Sequence, residues 1–250
     1  MTQRLTLRLL PLLLAGSLLQ ADTLTDLKTA LTRLNGQEAL KASMDYAFWS
    51  KQGDDKKPII TEGKATTLVE DGPQGLKMSW NRALIQTASL EAKLQAKDPE
   101  KKGTTRRAIE ALKAIDVSEY LNGAEELLRT LEQSQLLEEK GETWQGKPAK
   151  LLQFKLIPKL SKQDQKYVKE MEATAKVWVG ADGMPLAAET QVHTKGRALL
   201  VISFEQQQKE TYQFTRVGNR LVVTHHTKEN SGSGGGERGQ SKSVVTVNLS

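Results

Sequence analysis

Residues 176–196 read KVWVGADGMPLAAETQVHTKG, with apolar and polar side chains alternating on either side of Asp182-Gly183. A period of two sends successive side chains to opposite faces of a strand, and Asp-Gly between two such runs favours a tight turn. The stretch therefore predicts an antiparallel hairpin, closed by a second turn at Lys195-Gly196. Its neighbours decide whether the hairpin stands alone or belongs to a larger sheet.

Four more strand-like runs follow: RALLVISFE (197–205), ETYQFTRV (210–217), RLVVTHHTK (220–228) and SVVTVNL (243–249). They are punctuated by TKG, QQQK, GN and the glycine-serine stretch ENSGSGGGERGQ (229–240), which reads as a flexible hairpin tip. Upstream, LLEEKGETWQGKPAKLLQFKLIP (136–158) forms another hairpin about Gln145-Gly146, and KLSKQDQKYVKEME connects it to the opening stretch. Regular strands separated by turns imply one large antiparallel sheet, curved or partly closed.

The N-terminal third repeats this logic with helices added. TLTDLKTALTRLNG (23–36) places Leu24, Leu27, Leu31 and Leu34 on one helical face, with Gly36 as a left-handed terminator. In ASMDYAFWSK (42–51) the period returns to two: Met44, Tyr46 and Phe48 face one way, Asp45, Ala47 and Trp49 the other. IITEGKATTLVE and QGLKMSWNR continue the meander through Asp71-Gly72-Pro73. Residues 83–133 turn helical: ALIQTASLEAKLQAK groups Leu84, Ala88 and Leu94 and ends at Asp98-Pro99, and TTRRAIEALKAI gives a second helix. A third, NGAEELLRTLEQ, pairs Asn122 as cap with Glu125 in a capping box and buries Ala124, Leu127, Leu128 and Leu131.

The first 21 residues have the parts of a secretory signal: Arg4 and Arg8, an apolar run from Leu9 to Leu14 broken only by Pro11, then small residues. Cleavage is expected after Ala21, with Ser17 as the alternative, leaving residues 22–250 as a single domain with a helical insertion around 83–133. The chain has no cysteine, which excludes disulfides, thiol catalysis and a lipidated N-terminal cysteine. A disulfide-free exported chain fits a bacterial periplasm. The net charge is +6, and Lys and Arg are interspersed with Glu and Asp, so the pattern argues against a nucleic-acid partner.

No constellation for catalysis emerges. His193, His225 and His226 are the only histidines, and the adjacent pair on one strand cannot both turn to one ion. There is no G-x-S-x-G elbow, and GSGGGERGQSK leads into a strand instead of the helix a phosphate loop requires. The reading is a non-enzyme without cofactor or metal.

In ALLVISF, Leu199 and Val201 face one way while Ala198, Leu200, Ile202 and Phe204 face the other, so both faces call for burial. Helices cover one face; on a concave face, apolar side chains line a cavity for a hydrophobic ligand. The candidates are Met44, Tyr46, Phe48, Phe154, Trp178, Leu200, Ile202, Phe204 and Phe214.

A leading helix, a meander, central helices and a final meander in an exported chain resemble the LolA/LolB-type outer-membrane lipoprotein carriers and the related RseB-type sensor fold. The resemblance rests on LKTALTRLNG before a strand, EGKATTLVEDGPQGLKMSW, and AKVWVGADGMPLAAETQVHTKG. AEELLRTLEQSQLLEEKGETWQGKPAKLLQFKL is similar to that family's helix followed by a hairpin, although 83–133 is long for its helical plug. The resemblance implies an α+β fold: an open, strongly curved antiparallel β half-barrel with helices packed in or over its concave face. It also implies a periplasmic, non-enzymatic carrier of a lipid, acyl chain or lipoprotein, peripheral to membranes at most. The other expectation is an envelope protein-interaction or sensor module of the same fold, with a protein partner and no bound lipid.

Overall fold

The computed structural model describes residues 16–34, 36, 38–53, 57–198 and 202–250. Arg4, Arg8, the run Leu9–Leu14 and Leu200 lie outside them. Helix α1 (Gly16–Arg33) leads into strands β1 (Leu40–Gly53), β2 (Ile59–Asp71) and β3 (Lys77–Trp80). Helices α2 (Arg82–Lys97), α3 (Thr104–Glu110), α4 (Ala114–Leu121) and α5 (Gly123–Glu132) follow. The remainder is β4 (Ser134–Trp144), β5 (Lys147–Leu156), β6 (Val168–Gly180), β7 (Pro185–Ala198), β8 (Ile202–Val217), β9 (Arg220–Gly234) and β10 (Glu237–Leu249).

All ten strands form one antiparallel sheet in the order β3-β2-β1-β10-β9-β8-β7-β6-β5-β4. Its edges, β3 and β4, do not pair with each other, so the sheet is open: a curved α+β half-barrel with helices against its concave face. Three apolar clusters join the layers. Leu27, Leu31 and Leu34 of α1 and Leu127 and Leu131 of α5 pack on Leu152, Phe154, Val177 and Leu221. Val117 and Leu121 of α4 meet Met44, Val69, Val222, Val245 and Val247. Ala108 of α3 closes over Phe48 and Ala65. Burying side chains of this size stabilises the fold by roughly 1.5–3 kcal/mol each, which is how helices too short to persist alone are held.

Several strands run through residues read as turns. Lys195-Gly196 is not a turn: β7 continues to Ala198, and Gly196 sits opposite Phe204. A Cβ on Gly196 would lie 2.3 Å from the Phe204 ring and 2.4 Å from the Tyr167 carbonyl, so close packing selects glycine there. RALLVISFE is therefore divided between β7 and β8, with Ile202 exposed, and Leu199 to Val201 lie outside the described residues. Gln206 to Lys209 lie within β8, paired with Gln191 to Thr194 on one side and Glu229 to Gly232 on the other.

The glycine-serine stretch is also strand, with Ser231, Gly232 and Ser233 paired to Gln240, Gly239 and Arg238. Only Gly235 and Gly236 turn, at φ 62° and 86°, the pair of positive values that a two-residue hairpin needs. Gly36 does not take a left-handed conformation; its amide donates to the Asn219 carbonyl at 2.7 Å.

The helices depart from expectation in several places, and α1 starts at Gly16, ahead of the expected Thr23. TTRRAIEALKAI is broken between α3 and α4, where Leu112 and Lys113 leave the helical path. The Asn122 side chain makes no cap bond to α5; it donates to Ser118 O at 3.1 Å and accepts from Arg220 Nη1 at 3.3 Å. Arg220 is 1% exposed and holds Asp71 Oδ2 at 2.6 Å, while its Nε has no hydrogen-bond partner. Leu94 is exposed, and α2 buries none of its residues.

Candidate functional site

The concave face is ordered in rows, because strand register aligns inward side chains across neighbouring strands. One row runs Thr190–Glu210–Lys228–Ser243 across β7, β8, β9 and β10. The next, two residues along each strand, runs Ala188–Tyr212–His226–Val245–Tyr46. Beyond it stand Phe214 and Val223, cross-strand partners on β8 and β9. Helices α4 and α5 lie over these rows and leave a cavity of about 520 Å³. Its apolar wall includes Leu127, Ala175, Val177, Ala188, Phe214 and Val223; Thr190, Glu210, Lys228 and Ser243 supply a polar side.

Glu210 anchors the polar side. Its Oε1 accepts from Gln208 Nε2 at 2.7 Å and Lys228 Nζ at 2.9 Å. Its Oε2 accepts from the Tyr212 hydroxyl at 2.5 Å and His226 Nε2 at 3.0 Å. Burial alone pushes this carboxyl upward and is the largest single effect. The hydrogen bonds from His226, Tyr212 and Lys228, with the Lys228 charge, together outweigh it and hold the group at about 2. Glu210 is thus a carboxylate with all its acceptor sites engaged.

A carboxylate only accepts, so His226 Nε2 carries a proton towards Glu210. In the neutral ring Nδ1 is then the acceptor for the Tyr120 hydroxyl of α4, 3.1 Å away. Tyr212 stacks on the His226 ring with centroids 4.5 Å apart, and Tyr120 tilts against it at 5.4 Å. Both tyrosines hold their protons more tightly than free phenols, first through burial and then through nearby carboxylates: Glu210 beside Tyr212, Asp116 and Glu210 near Tyr120. The cluster therefore supplies fixed donors and a fixed charge, and no phenolate nucleophile at neutral pH.

Of the residues expected to line a cavity, Tyr46 and Phe214 line the one beneath α4 and α5. Met44 and Phe154 are fully buried within filled clusters, and Phe48 packs under α3 with Arg107 4.6 Å above its ring. Trp178 stands on the opposite face: Val177 and Val179 point into the core, and Trp178 packs on Trp144 with centroids 4.7 Å apart. Phe204 covers Gly196 at the far end of β8, outside the cavity, and Ile202 is exposed.

Glu210, Tyr212, His226, Lys228 and Tyr120 were absent from the sequence-based set. ETYQFTRV and THHTK carried a signal for four of them, since Glu210, Tyr212 and Phe214 alternate, as do His226 and Lys228. The other histidines lie elsewhere: His193 pairs with Glu205 at 2.6 Å, and His225 bonds Thr246 and Thr227.

Fold and site together define an open half-barrel with an amphipathic internal cavity. No family model matches the sequence, and no curated protein does either. Among solved structures, the chain is similar to a domain from Vibrio parahaemolyticus with the provisional description of outer membrane lipoprotein-sorting protein domain. Identity is 12%, the match covers 92% of this chain and 91% of that one, and the TM-score is 0.32.

Proposed function

We propose that this protein is a periplasmic, non-enzymatic binder or carrier of an amphiphile: a lipid, an acyl chain or the lipid-modified part of a lipoprotein. The observation that carries the reading is the cavity beneath α4 and α5, with an aliphatic wall on one side and the Glu210–Lys228 row on the other. A volume of 520 Å³ lies within the roughly 300–1,000 Å³ of small-molecule sites. The apolar part of such a ligand would bind by burial, at about 25 cal/mol per Å². Its polar end would meet donors already oriented by the Glu210 network.

The test is native mass spectrometry of protein recovered from periplasm without detergent, beside a variant, Val192→Phe, that fills the cavity Val192 helps to line. An added mass that extracts into organic solvent, and is lost in the variant, supports the carrier. A bare polypeptide mass together with no uptake of a fluorescent fatty acid overturns it. The filled clusters around Met44 and Phe154 favour the second reading, a sensor or interaction module; a protein partner crosslinked in the periplasm without any lipid would select it.

A further inference from the structure

Helix α2 presents Leu90, Lys93, Leu94 and Lys97 at spacings of three, four and seven, which places them along one side of the helix. That side is solvent-facing: Leu90 is 61% exposed and Leu94 54%. The only acid on α2, Glu91, is turned away, accepting from the amides of Thr105 and Arg106 at 3.2 and 3.0 Å and so fixing the start of α3. The side carrying the two leucines therefore has cations and no carboxylate.

The same end of the molecule gathers more of both kinds. Gln95 Nε2 donates to Lys101 O at 3.0 Å, and Lys102 Nζ donates to Ile60 O, which draws the α2–α3 loop onto the start of β2. There Ile59 and Ile60 are 59% and 50% exposed. Over residues 82–113, the stretch of α2, α3 and their loop, eight Lys and Arg stand against four Asp and Glu, a local net charge of +4. Exposed aliphatic side chains flanked by lysines, on a helix none of whose residues is fully buried, are the features of a segment lying in a membrane interface.

We propose that the α2–α3 insertion docks on an anionic lipid bilayer, with Leu90, Leu94 and Ile59 entering the headgroup boundary and Lys93, Lys97, Lys101 and Lys102 facing lipid phosphates. Charge complementarity selects this partner. A nucleic-acid surface would call for exposed aromatic stacking groups, and the exposed apolar side chains here are aliphatic. The docking surface is independent of whatever the cavity holds.

The experiment is co-sedimentation of the full chain with vesicles of phosphatidylglycerol and phosphatidylcholine, against vesicles of phosphatidylcholine alone. The wild-type protein binds the anionic vesicles, and binding falls as salt is raised. Leu90→Glu/Leu94→Glu and Lys93→Glu/Lys97→Glu each weaken it by roughly tenfold or more, with unchanged circular dichroism because α2 buries no residue. Should a double variant unfold, Leu94→Gln and the salt titration give the same reading. Val192→Phe leaves vesicle binding intact. The proposal is overturned by wild-type protein that ignores anionic vesicles at low salt, or by glutamate variants that bind as the wild type does. It is equally overturned if the leucines prove to hold two copies of the chain together, seen as a doubled mass in light scattering that the leucine variant abolishes.

Discussion

The hydroxyl of Tyr120 on α4 meets Nδ1 of His226 on β9 at 3.1 Å, joining residues 106 positions apart. Through His226 Nε2 the bond continues to Glu210 on β8. One polar chain thus ties the helical layer to the two strands that floor the cavity. Tyr120→Phe removes the donor and leaves Nδ1 unpaired at a buried position, so stability should fall by about 1–2 kcal/mol. Urea unfolding gives the magnitude, and faster amide exchange confined to α4 would show that the layer has loosened.

Acid should loosen the same region. The folded-state value of Glu210, about 2, lies below the 4.5 of the free side chain. Its ionised form therefore stabilises the fold at and above about pH 4.5, and that contribution disappears as pH falls through 2. The difference is worth about 3 kcal/mol. Urea midpoints measured between pH 6 and pH 2 should decline in the wild type, and Glu210→Gln should remove most of that slope while lowering stability at neutral pH.

Asp71→Ala would leave the Arg220 guanidinium buried without a counter-charge, at a cost of roughly 3–5 kcal/mol. Replacing both partners, as Asp71→Leu/Arg220→Met, should recover much of that loss. A double variant no more stable than Asp71→Ala would mean that the pair's surroundings, and not the stranded charge, set the cost.

Trp178 and Phe214 should separate cleanly. Phe214→Ala enlarges the cavity wall and should weaken uptake of a fluorescent fatty acid several-fold. Trp178→Ala strips the opposite face of its packing on Trp144, lowering stability by about 2 kcal/mol and leaving ligand affinity as it was. Equal affinity losses in the two variants would contradict the placement of the site.

Much of the sheet was legible because its strands alternate strongly. Met44, Tyr46 and Phe48 face inward on β1 as their spacing requires, Leu27, Leu31 and Leu34 are all buried, and Gln145-Gly146 forms the hairpin turn with φ of 49° and 78°. Strand ends were not legible where polarity was uniform. Gln206–Lys209 and Ser231–Gly234 carry no apolar face, and pairing with neighbours, not propensity, keeps them extended. Helices cover the sheet as expected, and ALLVISF spans two strands with Leu199 to Val201 outside the described residues.

For the site, period two could group Glu210 with Tyr212 and Phe214 but could not bring Tyr120 to His226, a contact made only by the docking of α4. Nor could it tell a cavity wall from a filled core. Met44 and Phe214 have the same pattern in sequence, and what separates them is which helix lies above.

The pairing of β1 with β10, from Ala42–Leu249 to Gly53–Arg238, places the first strand against the last in the middle of the sheet. Synthesis therefore leaves β1 and β9 each short of a neighbour until β10 has been made, and the two halves of the meander cannot lock together earlier. Such long-range pairing folds slowly. Deletion of residues 237–249 would split the sheet in two instead of trimming an edge.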